Sequence, residues 1–134
     1  MSTIRILDAH ALMIYLEKEP GHEKLESLFV QAVEKDEHLL MTTVNYGELY
    51  YIILRECGQN KINKIEAVIR TLPIEVIDVD IQLAKEAARF KARKKLSYAD
   101  CFAAALTKIR KGELVTGDRE FRTMENEIKI TWIS

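Results

Sequence analysis

Thr3-Ile4-Arg5-Ile6-Leu7-Asp8 is a short apolar run closed by an acid, and an amphipathic stretch from Ala9 to Lys18 follows it without a gap. Strand and then helix is the reading of that pattern, and the rest of the chain repeats it. Pro20-Gly21 ends the first helix, and His22 to Lys35 forms a second with Leu25, Leu28, Phe29 and Val33 on one face. His38 to Thr42 reads as the next strand. Helices follow from Val44 to Cys57, stopped by Gly58, and from Asn60 to Leu72, stopped at Pro73. Ile74 to Val79 is a third strand, Asp80 to Lys95 a helix, and Tyr98 to Arg110 a helix opened by Ser97 and closed by Gly112. Glu113 to Thr116 is a fourth strand, Gly117-Asp118 a turn, and Ile128 to Ile133 a fifth strand. Strands separated by helices pair in parallel through right-handed crossovers, with helices on both faces. The expected fold is α/β, a three-layer α/β/α sandwich around a central, mostly parallel sheet.

Composition agrees with a single domain over residues 1–134. The chain is 48% hydrophobic and 31% charged, with five Gly and two Pro, which excludes disorder and collagen-like or low-complexity sequence. No apolar run exceeds six residues, against roughly 20 for a membrane span. Met1 to Ile6 lacks the basic-then-apolar layout of a secretory signal. Cys57 and Cys101 have no CxxC spacing. A reduced, cytoplasmic protein with no membrane partner is expected.

The formal net charge is −1, but its distribution is uneven. Lys85 to Lys111 holds nine basic residues against two acids, a local +7. Such a segment can hold a polyanion although the whole chain is near neutral; taken alone, a pair of solvated helix faces is the ordinary reading of such a run.

Ligands of open parallel sheets bind outside the carboxyl ends of the strands. Asp8 ends the first strand, where it also suits the N-cap of the next helix. Glu48 lies one turn into a helix on a largely apolar face, with no Lys or Arg three or four residues on. Asp100 is the fourth residue of Ser97-Tyr98-Ala99-Asp100, a capping-box spacing, and the small residues after it suit a helix lying close on a sheet. Asp118 follows the fourth strand in a Gly-Asp turn. Each acid alone has an ordinary explanation. Together they stand at one edge of the sheet, where converging carboxylates repel unless a hard divalent cation joins them. Mg²⁺ or Mn²⁺ in such a site suits phosphodiester hydrolysis.

Ile6-Leu7-Asp8-Ala9, Asn45-Tyr46-Gly47-Glu48, Tyr98-Ala99-Asp100-Cys101 and Thr116-Gly117-Asp118-Arg119-Glu120-Phe121 resemble, in order and spacing, the acidic signatures of PIN-domain nucleases. Among these the chain is similar to the VapC toxins of prokaryotic toxin–antitoxin modules, from Ile4 to Ile133. The resemblance implies an Mg²⁺- or Mn²⁺-dependent endoribonuclease, with Asp8, Glu48, Asp100 and Asp118 as catalytic metal ligands and Thr116 as a supporting hydroxyl. It also implies RNA as substrate, a VapB-like antitoxin as partner, and a homodimer. His10 departs from the family, standing where many members carry Ser or Thr.

Lys91, Arg93, Lys94 and Lys95 precede the Ser97 cap and are the candidate phosphate contacts of the substrate. His10, His22 and His38 have no zinc spacing, Cys101 is a packing residue, and no glycine pattern supports a nucleotide cofactor. Tyr46, Tyr50 and Tyr51 are candidates for stacking on RNA bases. Two other classes stay open on the residues: a non-catalytic RNA- or protein-binding module using segment 85–111, and a phosphotransfer or receiver-like domain. The latter lacks the expected Lys after a late strand.

Overall fold

The computed structural model describes residues 2–134. Its order is β1 (Arg5–Leu7), α1 (Ala9–Leu16), α2 (His22–Glu34), β2 (Leu39–Thr42), α3 (Thr43–Cys57), α4 (Gln59–Ile69), β3 (Ile74–Ile77), α5 (Ile81–Arg93), α6 (Tyr98–Arg110), β4 (Glu113–Thr116), a 3₁₀ helix (Arg119–Met124) and β5 (Lys129–Trp132). All strand pairings are parallel, and the sheet order is β3-β2-β1-β4-β5. The three-layer α/β/α sandwich with a central parallel sheet is therefore the fold.

Period-two alternation divides the core between the sheet's faces. Leu7, Leu39, Met41 and Val115 pack toward α1, α2, α3 and α4. Ile6, Leu40 and Leu114 pack toward α5, α6 and the 3₁₀ helix. Helix α6 lies close on the sheet because Ala103, Ala104 and Ala105, all fully buried, offer no bulk to hold it off. Gly112 fits the turn into β4 for a similar reason: a Cβ there would overlap the carbonyl oxygen of Ile4.

Two side chains depart from the sequence pattern. Val33 is 66% exposed, and Ala32 takes its place on the inward stripe with Leu25, Leu28 and Phe29. That stripe follows the i, i+3, i+4, i+7 rule, from which Val33 lies one step off. Val76 is exposed because β3 is an edge strand, covered on fewer sides than its apolar sequence suggests. The 3₁₀ helix follows the expected Gly117-Asp118 turn, over residues for which the sequence pattern predicts no element.

Candidate active site

The register Leu7↔Val115 brings the residues after β1 and β4 side by side. Asp8, 1% exposed, caps α1 with one oxygen, which accepts from the Ala11 amide at 2.8 Å. Its other oxygen accepts from the Thr116 hydroxyl at 2.5 Å. The Thr116 oxygen in turn accepts from the Asp118 amide at 3.0 Å. One hydroxyl thus fixes both the carboxylate ending β1 and the backbone that carries Asp118. Asp118 then caps the 3₁₀ helix by accepting from the Glu120 amide at 3.0 Å.

The helices bring in the remaining acids. Ser97 Oγ accepts from the Asp100 amide at 3.1 Å, the N-cap half of the expected capping box. The Asp100 carboxylate faces Asp118 and Glu120: the three offer oxygens that all lie within 4.8 Å of one another. Glu48 is oriented through its own first turn. Asn45, fully buried, accepts from the Thr42 hydroxyl at 2.6 Å and donates to the Ala99 carbonyl at 3.0 Å. That bridge pins the start of α3 to the residue before Asp100.

Electrostatics mark the cluster. Burial pushes Asp8 up to about 7, and Asp100 and Asp118 add to the rise against the hydrogen bonds from Thr116 and Ala11. Burial likewise pushes Asp100 up to about 6, with Asp118 and Glu120 adding and His10 opposing. Glu48 is raised by burial first and then by Asp100 and Asp118. Among the described residues, no Lys or Arg forms an ion pair with any of these acids. Hard carboxylate oxygens, partly desolvated and left without a protein cation, fit Mg²⁺ or Mn²⁺ better than a softer metal.

Glu120 and Asn45 are the residues that sequence reasoning passed over. Glu120 had a signal: Asp118-x-Glu120 is an N-cap acid followed by a second acid in the first helical turn. For Asn45 the signal was Thr42-x-x-Asn45, an N-cap pattern whose side chain has an amide to spare.

Three of the four candidate phosphate contacts are also engaged within the fold. Lys91 Nζ donates to the Leu96 carbonyl at 2.9 Å. Arg93 pairs with Glu127 through both terminal nitrogens, one of them at 3.0 Å from the carboxylate. Lys94 sits 2.8 Å from the same carboxylate and donates to the Thr123 carbonyl at 2.9 Å. Lys95 is exposed and, among the described residues, makes no such contact. It lines a surface cavity of about 490 Å³ together with Leu96, Thr123 and Glu120, the last of which belongs to the acid cluster. Of the tyrosines, Tyr46 donates to Glu66, Tyr50 accepts from Gln59, and Tyr51 is half exposed.

The sequence profile of the PIN domain matches residues 5–127. The chain belongs to the PIN-domain family. Ribonuclease VapC30 of Mycobacterium tuberculosis is 27% identical over 124 residues, spanning 87% of this chain and 92% of that protein. Ribonuclease VapC of Mycolicibacterium smegmatis is 29% identical over 125 residues, spanning 87% and 93%. The fold of this PIN domain superposes on the DNA-bound VapBC of Salmonella typhimurium with a TM-score of 0.78 at 17% identity, covering 99% of this chain and 100% of that one. VapBC2 of Rickettsia felis, bound to a promoter fragment, gives 0.76 at 12% identity, covering 98% and 99%. No helix among the described residues of the PIN domain is long and apolar enough to cross a membrane.

Proposed function

We propose that this PIN domain is a metal-dependent endoribonuclease, the toxin of a VapBC-type module held in check by a VapB-like antitoxin. The observation that carries the reading is the set of acids without a protein cation at the strand ends, in a family whose relatives include VapC ribonucleases. Asp8, Asp100, Asp118 and Glu120 are the groups to hold Mg²⁺ or Mn²⁺, with Glu48 at the margin. A divalent ion bound there supplies charge for the non-bridging phosphate oxygens and acidifies a bound water.

The chain's own residues do the rest. Thr116 keeps the Asp8 carboxylate aimed and joins it to the Asp118 backbone. Glu48, half-buried, is raised above the ordinary carboxylate range by burial and then by Asp100 and Asp118, which favours its holding a proton beside the cluster. Lys95 is the candidate phosphate contact of its segment, since Lys91, Arg93 and Lys94 are engaged within the fold.

Incubating purified protein with total RNA, with Mn²⁺ or with a chelator, and mapping the cut ends tests the reading. Metal-dependent cleavage that disappears in Asp100→Asn is expected. Equal cleavage with chelator present would reject it. The homodimer belongs to this reading as well, and light scattering of the purified chain measures it.

A further inference from the structure

The oxygens of Asp100, Asp118 and Glu120 come within 4.8 Å of one another from two separate segments. Asp100 is in the first turn of α6, entered through residues 94–97; Asp118 and Glu120 sit at the start of the 3₁₀ helix. Facing carboxylates repel, so without a cation the cluster pushes its own supports apart. Something else has to fix their separation.

The connection between α5 and α6 is tied to the other segment at its far end. Lys94 Nζ donates to the Thr123 carbonyl at 2.9 Å, inside the 3₁₀ helix. Three residues beyond that helix, the Glu127 carboxylate receives Lys94 at 2.8 Å and Arg93 through a two-pronged pair with one contact at 3.0 Å. Lys91 braces the same connection from within by donating to the Leu96 carbonyl. Arg93 also lies over the Phe90 ring at 5.2 Å, which restricts its side chain. A planar guanidinium meeting a carboxylate in two places fixes direction as well as distance.

We propose that Glu127 is a positioning residue of the acid cluster: by holding Arg93 and Lys94 it keeps the Asp118–Glu120 segment at the spacing from Asp100 that a divalent cation requires. The inference rests on the reading of that cluster as a metal site. It assigns Arg93 and Lys94 a structural task in place of contact with RNA phosphate.

Glu86 supplies the control. Its carboxylate also holds two cations, Arg89 at 2.8 Å and Lys108 at 2.5 Å, and also joins α5 to α6. It has no tie to residues 118–127. Loss of either triad removes a comparable pair of surface bonds, but only the Glu127 triad ties the connection leading to Asp100 to the segment that carries Asp118 and Glu120. Thr116 and the buried Phe121 and Met124 hold that segment to the rest of the fold.

The test is Mn²⁺ binding to the purified full chain, read from the electron paramagnetic resonance signal of free Mn²⁺, with metal-free melting temperature measured alongside. Glu127→Gln is expected to weaken Mn²⁺ binding by about tenfold, the low end for outer partners of a metal site. Glu86→Gln leaves the affinity unchanged while lowering the metal-free melting temperature by a similar small amount. Equal affinity in Glu127→Gln and the native chain, or an equal loss in both variants, overturns the proposal. If the native chain binds no Mn²⁺ at millimolar concentration, the metal reading itself falls and this inference with it. Should Glu127→Gln give no folded protein, Arg93→Met, which cuts one arm of the bridge, is measured against the same control, with the same outcomes.

Discussion

Asp8, Glu48 and Asp100 at the strand ends, and Glu86, Glu113 and Glu127 along the flanking surface, are the same chemistry in opposite circumstances. The first three are pushed up, chiefly by burial, to about 7 for Asp8 and about 6 for Asp100. Of the second group, Glu86 is lowered by Lys108 and Arg89, and Glu127 falls to about 2 through Arg93 and Lys94. Burial would raise Glu113, but Thr131 and Lys129 outweigh it. A carboxylate with its own lysine or arginine is finished as structure. One that is desolvated beside other acids is, on the proposed reading, completed by an external cation.

The largest effect that separates the two groups is on catalysis. Asp100→Asn keeps the backbone bond to Ser97 but removes a charge from the cluster, so RNA cleavage should fall about a thousandfold, several kcal/mol of transition-state stabilisation. Circular dichroism and a melting curve establish that the variant is folded. Near-native turnover would place the chemistry elsewhere.

Next in size is the hydroxyl that supports the strand-end group. Thr116→Val leaves the Asp8 oxygen without its donor and the Asp118 amide without its acceptor. A loss of about 1–3 kcal/mol in urea unfolding is expected for buried partners left unpaired. A change smaller than the error of the extrapolation would show that water replaces Thr116 freely.

The pH dependence of metal-free stability sharpens the same contrast through its sign. Asp8 and Asp100 hold protons in the folded state up to about 7 and about 6, above the ordinary value of 3.8. Their contribution is fully present below that value and is lost as pH rises through 6 to 7. Glu127 runs the other way: its contribution is present above 4.5 and is lost as pH falls toward about 2. The metal-free melting temperature should therefore rise from pH 8 to pH 5 and decline in stronger acid. Added Mn²⁺ should stabilise more at pH 8 than at pH 5, because protons compete for the same oxygens. A metal-free melting temperature that climbs steadily from pH 5 to pH 8 would contradict the raised values.

The smallest effect concerns Lys95, a cation outside the internal bridges that lines the cavity beside Glu120. Lys95→Glu should lower RNA affinity and reduce the slope of log affinity against log salt by about one, the signature of one phosphate contact. Filter binding across a salt series measures it, and an unchanged slope would remove Lys95 from the substrate path.

Much of this protein is legible along the chain. Helix α6 and strand β4 fall on the expected residues. Asp8, Asp80 and Ser97 cap the helices after them as their side chains suggest. Asp8 and Asp118 could be placed because β1 and β4 end just before them. Lys91, Arg93 and Lys94 show what the chain does not disclose. A run of cations looks the same whether it faces solvent, RNA or Glu127, which is 34 positions beyond Arg93. Glu120 was hidden for a related reason, since an acid two residues after Asp118 joins it only when Asp118 turns back to cap the helix that begins between them.

Local physics, then, was in the sequence: period-two and period-3.6 patterns, caps and breakers are interactions between near neighbours, and they specify strands, helices and the polar residues where each ends. Tertiary structure decided which ends meet. The parallel register of β1 on β4 sets Asp8 on Thr116, the Asn45 bridge carries Glu48 toward Asp100, and Glu127 draws in the cations of a distant helix. Those pairings span long stretches of chain, and a carboxylate's charge state depends on which neighbour arrives and how much water leaves with it, neither of which is written beside it in the chain.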